Sequence, residues 1–237
     1  MKTGHVLITG VGRRAGLFLA QTMLQRGIPV IGTFRTEYPS LEKLRERGAE
    51  LHRCDFNDEG SVHALIEAVQ AQHADLRCMI HNASQWLSDS ADLALPEIMA
   101  TMMRVHVGVP YQLNMSLAAL LQKHPGAPAD IIHIGDYVSS HGSKKHIAYA
   151  ASKAAQDNLT MSFAQKLAPK IKVNSIAPAL LLFNEGDDEA YQAKAKAKSL
   201  MEKEGGFGEL QATVDYLMQS EYITGRVLAL DGGRHLR

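Results

Sequence analysis

The stretch His5-Val6-Leu7-Ile8-Thr9-Gly10-Val11-Gly12-Arg13-Arg14-Ala15-Gly16 sets an apolar strand directly against a glycine-rich turn and then against a helical pattern. Ala15, Leu19, Ala20, Met23 and Leu24 share one helical face, and Gly27 stands where that helix would end. Strand, tight turn and helix in this order aim the helix N-terminus, with its free N–H groups and positive dipole end, at an anionic ligand. Gly10 and Gly12 let the backbone approach a pyrophosphate, and Gly16 allows helix and strand to pack closely. The spacing Gly-x-Gly-x-x-x-Gly departs from the commonest dinucleotide fingerprint, and a β-to-α turn without a ligand would read the same way. Arg13 and Arg14 favour the ligand, because two guanidiniums beside the turn suit anionic oxygens.

Outward from this unit the same rhythm continues. Strand-like runs recur at about residues 5–9, 29–34, 50–54, 77–81, 130–135, 171–177 and 227–231. Between them helical spacing predicts helices near 15–26, 40–47, 60–72, 96–122, 148–168 and 209–219, with Gly48 placed to end the second. Parallel strands need a helix to carry the chain back, so the expected fold is one α/β domain over residues 1–237. It is a Rossmann-type doubly wound sheet of about seven parallel strands with helices on both faces. The segment 179–203 differs in texture: an apolar start, the acidic run Glu185-Gly186-Asp187-Asp188-Glu189, then an Ala/Lys-rich stretch around Lys194, Lys196 and Lys198. It suits a helical substrate lid.

A chain of 237 residues with 46% hydrophobic composition can bury one large core. Lys+Arg and Asp+Glu both total 25, and no long basic run suggests a nucleic-acid groove, so an anionic ligand must be met by local charge. No uncharged stretch is long enough for a membrane span, and the N-terminus lacks the apolar region of an export signal. Cys54 and Cys78 fall in or beside buried strands, as free thiols in a reduced cytoplasmic protein would. No metal site is expected.

The second strand ends Ile31-Gly32-Thr33-Phe34-Arg35-Thr36. An acidic residue at this position would bind a ribose 2′-hydroxyl; Arg35 with the Thr36 hydroxyl suits a 2′-phosphate and points to NADP(H). A solvated arginine at a strand end is the plainer alternative. Asp55, after the third strand, is placed for the edge of an adenine ring, and Asn82-Ala83-Ser84, after the fourth, brings small side chains where a dinucleotide crosses the sheet. Tyr149 and Lys153 stand four residues apart on one helical face, and Asp136 lies thirteen residues before the tyrosine. An ammonium beside a phenol is expected to lower its pKa and ready it for proton transfer.

These motifs resemble the short-chain dehydrogenase/reductase family across almost the whole chain. The resemblance rests on the Thr9-Gly10 to Gly16 turn, Asn82-Ala83, Tyr149-x-x-x-Lys153, Asn174-x-x-x-Pro178, and Thr224-Gly225 leading to Asp231-Gly232-Gly233. Most members carry serine at the position of Asp136; the pteridine reductase branch carries aspartate, and it also shares Arg14 and the Asn82-Ala83-Ser84-x-Trp86 pattern. The resemblance implies NADPH held by Gly10, Gly12, Arg13, Arg14, Arg35, Thr36, Asp55, Asn82, Ala83, Tyr149, Lys153 and Pro178. It implies catalysis by Tyr149, Lys153 and Asp136, and a dihydropterin met by Arg14, Ser84, Trp86, Asp136 and Tyr149. Reduction of a dihydropterin C=N bond is the implied reaction, in a homotetramer built on the long fourth and fifth helices and the C-terminal strand region. Dihydromonapterin, dihydrobiopterin and dihydrofolate are not separated by these residues. Trp86 is either a stacking face for the pterin or a lid or interface residue. His106 stands where many members have an asparagine that holds a relay water; it is either part of that relay or a satisfied core histidine. A general carbonyl reductase and a nucleotide-sensing protein without turnover remain as alternatives.

Overall fold

A computed structural model describes residues 4–126 and 128–237. Seven strands form one parallel sheet: β1 (His5–Ile8), β2 (Val30–Phe34), β3 (Glu50–Arg53), β4 (Leu76–His81), β5 (Ala129–Ile134), β6 (Ile171–Pro178) and β7 (Val227–Leu230). Their order is β3-β2-β1-β4-β5-β6-β7. The expected Rossmann-type doubly wound sheet is therefore present, with every strand within a residue or so of its predicted place. The chain runs outward from β1 to β3 and then returns to β4 on the other side of β1. That reversal opens a crevice at the C-terminal ends of β1 and β4, where ligands of such sheets bind.

Both sheet faces are apolar because both are covered. Leu7, Met79, Ile131 and Val173 face a layer made by α3 (Glu59–Gln72), α5 (Val109–Gln122) and α7 (Ile147–Leu167), through Leu65, Leu113 and Phe163. Alternate residues Val6, Ile8, Ile80 and Ile132 face α1 (Arg14–Gln25), α2 (Pro39–Glu46) and α9 (Phe207–Gln219), through Leu19, Met23, Leu41, Leu44 and Val214. At the opposite end of the sheet from the crevice, Asp130 on β5 is buried between Arg77 on β4 (2.5 Å) and Lys172 on β6 (2.8 Å). Arg77 and Lys172 also donate to the carbonyls of Met218 and Leu217, the last turn of α9.

The single helix expected over 96–122 is instead two, α4 (Leu95–Met103) and α5, joined by a π-helical turn at Arg104–Gly108. Pro110 gives the physical reason. It has no N–H for the carbonyl four residues back, and its ring crowds that carbonyl, so the chain widens by one residue and the Val109 N–H bonds Arg104 O instead. Two short helices complete the chain: α6 (Val138–His141) after β5, and α8 (Glu189–Lys196), which makes the 179–203 segment partly helical. Among the described residues no helix is long and apolar enough to cross a membrane. Cys54 and Cys78 are both buried free thiols.

Candidate active site

The glycine-rich turn is held by side chains from the ends of neighbouring strands and from α2. Asn82 Nδ2 donates to Thr9 O (3.0 Å) and Gly10 O (3.1 Å), while the N–H groups of Asn82 and Ala83 donate to Thr9 Oγ1 (3.0 and 2.9 Å). Thr33 Oγ1 accepts from the Gly10 N–H (3.2 Å), and Ser40 Oγ donates to Gly12 O (2.6 Å). Gly10 has φ +75°, and a Cβ there would press on Ala83. At Gly16 a Cβ would overlap Gly10 O and Asn82 Nδ2, so only glycine lets α1 sit this close. Asn82, expected to touch a cofactor, thus acts chiefly as the clamp on the turn. Thr9, already part of the family turn motif, shares that task with Thr33 and Ser40, which were not marked by sequence reasoning, since each works on backbone rather than on a ligand.

The turn fits an anionic dinucleotide. No side chain caps α1 and no acidic residue occupies its first turn, so its first N–H groups remain directed outward. Arg13 lies over the Tyr38 ring (5.9 Å), and Arg35, exposed at the end of β2 beside Thr36, reaches Gln85 (3.4 Å). Asp55 accepts from the Asn57 N–H (3.0 Å) at the end of β3. Pro178 is the last residue of β6, at the C-terminal end of the sheet. Arg14 departs from expectation. Its guanidinium donates to Leu182 O (2.7 Å) and Asn184 Oδ1 (2.9 Å), tying α1 to the 179–203 segment rather than standing free at a phosphate. It has φ +52°, a left-handed conformation that a non-glycine residue holds at a cost of about 1 kcal/mol or more.

The catalytic candidates meet at the end of β5. Tyr149 and Lys153 lie one turn apart on α7, both buried, and the Tyr149 hydroxyl donates to Asp136 Oδ2 at 2.8 Å. The second Asp136 oxygen accepts from the Val138 N–H (2.9 Å), which fixes the carboxylate at the entry to α6. Lys153 Nζ donates to Ile134 O (2.7 Å) and Gln156 Oε1 (3.3 Å); its approach to Tyr149 is to the ring, at 5.8 Å from the centroid. The expectation that Lys153 lowers the phenol pKa is therefore corrected. Burial, reinforced by the Asp136 carboxylate, pushes the Tyr149 pKa up, so the phenol is firmly protonated. Burial takes the Lys153 amine down to about 8. The N-terminus of α7 is held by Asp89, whose carboxylate accepts from the Ile147 N–H (2.7 Å). That helix cap carries no motif of its own.

The rim of the site is formed by Ser84, Trp86 and the π-turn. Ser84 is partly buried, and its hydroxyl meets His106 Nε2 at 2.9 Å. His106 is fully buried, edge-on to the Tyr149 ring (5.3 Å, 85°). Trp86 is 65% exposed, with one face stacked on His146 at 4.0 Å. His146 Nδ1–H donates to Leu87 O (3.1 Å), which fixes its ring and so the indole. Asp136, Tyr149, His106 and Ser84, distant in sequence, are thus joined in one chain of contacts; Arg35 meets the same 84–86 segment through Gln85, and Trp86 belongs to it by position.

A family model described as Enoyl-(Acyl carrier protein) reductase matches residues 10–235. The chain is 53% identical to a Dihydromonapterin reductase from Klebsiella pneumoniae, over 98% of this chain and 97% of the relative. It is 50% identical to one from Citrobacter koseri over the same shares. Among solved structures, FolM Alternative dihydrofolate reductase 1 from Brucella canis, complexed with NADP, superposes with a TM-score of 0.87 at 27% identity, over 99% of this chain and 94% of that one. The Pseudomonas aeruginosa RhlG/NADP active-site complex superposes at 0.88 with 25% identity, over 98% of this chain and 96% of that one. Full-length relatives at this identity, a seven-stranded sheet in this order and the Tyr149-x-x-x-Lys153 pair on α7 place the chain in the short-chain dehydrogenase/reductase family.

Proposed function

We propose that this protein is an NADPH-dependent dihydromonapterin reductase, converting 7,8-dihydromonapterin to the tetrahydro form, with dihydrofolate as a second candidate substrate. The observation that carries this reading is the 2.8 Å hydrogen bond from Tyr149 to Asp136 at the mouth of the crevice. A C=N bond is reduced as its nitrogen gains a proton, and a carboxylate next to a phenol can pass one to a ring nitrogen; a ketone needs only a neutral hydroxyl. The dihydromonapterin reductase relatives and the NADP complexes of similar structures support the same substrate and cofactor.

When bound, NADPH supplies the hydride that adds to the carbon of the C=N bond. Gly10, Gly12, Arg13 and the N-terminus of α1 hold its pyrophosphate, Arg35 and Thr36 its 2′-phosphate, and Lys153 its nicotinamide ribose. Asp136 and Tyr149 hold the proton that goes to the substrate nitrogen. Ser84 and the free face of Trp86 orient the flat ring, a stacking contact worth about 1 kcal/mol beyond area burial. The 179–203 segment, with α8 and its link to Arg14, covers the substrate as a lid.

Assembly as a homotetramer through α4, α5, α7 and the β7 region is part of the proposal. Tyr111 and Met115 on α5 and Met161 on α7 are exposed apolar residues on that face, and light scattering would read the stoichiometry. Buried free thiols and the lack of a membrane-spanning helix among the described residues favour the cytoplasm. NADPH oxidation followed with dihydromonapterin, with a ketone panel and without substrate tests the function. Turnover with the dihydropterin alone is expected. Turnover with ketones alone would make the protein a carbonyl reductase, and turnover with neither would leave a nucleotide-binding protein.

A further inference from the structure

His106 takes part in no step of the proposed reaction, yet it is buried at the centre of the site with both ring nitrogens engaged. Its protonation pattern follows from its neighbours. Ser152 Oγ lies 2.7 Å from the Tyr149 carbonyl, which can only accept, so the single Ser152 proton goes there. His106 Nδ1 is 2.8 Å from the same Ser152 oxygen and must therefore donate to it. Burial, with the Lys153 charge nearby, pulls the ring pKa down to about 2, so only one nitrogen is protonated. Nε2 then carries a lone pair and accepts the Ser84 proton across 2.9 Å. The Tyr149 proton is already donated to Asp136. The Ser84 hydroxyl is left with only its lone pairs facing the opening.

We propose that His106 is a positioning residue that makes Ser84 an obligatory acceptor, so that the site selects substrates presenting an N–H donor at this point of the rim. An aromatic nitrogen heterocycle with ring N–H or exocyclic amino groups satisfies Ser84; a simple ketone does not. The π-turn built at Pro110 holds His106 between Ser84 and α7. The inference rests on the pterin reading for the substrate that benefits, though not for the hydrogen-bond pattern itself.

Two measurements test it. In the NADP⁺-bound protein, proton–nitrogen correlation of the histidine rings should show His106 protonated at Nδ1 and bare at Nε2. A proton on Nε2 would overturn the inference whatever the substrate is. In steady-state kinetics, His106→Asn should keep a donor near the Nδ1 position toward Ser152, while its shorter side chain no longer brings an acceptor to Ser84. It should raise KM for dihydromonapterin about fivefold to tenfold, with a much smaller change in kcat, as expected for one neutral hydrogen bond. In a Ser84→Ala background the same substitution should add almost nothing, because its effect passes through Ser84. Additive losses in the double variant would assign His106 a purely structural role. If the parent protein turns over no dihydropterin, the substrate reading fails, and the tautomer alone still decides the part played by His106.

Discussion

At Lys153 burial changes what a familiar pair does. The residue is 2% exposed, and burial pulls its amine down to about 8, against 10.5 for a free lysine. Between those values the unfolded chain binds more protons, so folding stability rises with pH across that window, while the ammonium that would hold the ribose is lost. Hence kcat/KM for NADPH is expected to fall above about pH 8, and Lys153→Met should remove that limb along with most activity. A parent profile flat to about pH 10 would show that the charge is not used. Arg35, exposed at the end of β2, should set cofactor choice. Arg35→Asp is expected to raise KM for NADPH roughly tenfold to a hundredfold, the loss of one charged hydrogen-bond pair, and to change that for NADH far less. Equal effects on the two cofactors would end the assignment. Residues whose chemistry demands a type at a spacing, such as Tyr149, Lys153, Asp136 and Arg35, were legible in the sequence. Thr33, Ser40 and Asp89 were not, because a hydroxyl or carboxylate serving backbone groups leaves no spacing signature. Nor was the direction of the Tyr149 shift, which depends on burial and on where the Lys153 amine points.

Among the elements, the strands were the most legible, since each is a short apolar run between helical patterns and is covered on both faces. The π-turn at Arg104–Gly108 was hidden because apolar spacing runs unbroken through Val105 and Val109; Pro110 was the one signal available. That irregularity brings His106 to the site, in keeping with the habit of π-bulges to occur at functional positions. The β1-to-α1 junction is the element whose geometry leaves least room. Gly16→Ala should force α1 away from Gly10 O and Asn82, destabilising the fold by about 1–3 kcal/mol as an overpacked site does. NADPH affinity, read by fluorescence titration, should fall by more than thermal stability alone would explain. Unchanged affinity would mean that the turn can relax without loss of its ligand geometry.

Across the whole molecule the sheet separates two tasks. Its C-terminal edge carries the candidate site; its other end is fastened by Asp130 between Arg77 and Lys172, which also close the end of α9. Asp130→Ala would leave two cations buried without their partner, at a cost of about 3–5 kcal/mol. For a chain of this size the melting temperature should drop by roughly 6–20 °C, with cofactor and substrate constants little changed below the transition. A loss below about 1 kcal/mol would show that water reaches the two cations. The proposed reaction turns on Asp136, the residue assigned there to proton transfer toward a ring nitrogen rather than a ketone oxygen. The decisive measurement is the turnover of Asp136→Ser with dihydromonapterin at saturating NADPH. It is expected to fall about tenfold to a thousandfold, within the range of general acid–base participation, with NADPH affinity nearly unchanged. A serine variant as fast as the parent would contradict the assignment of Asp136 to proton transfer and move the carbonyl reductase reading ahead.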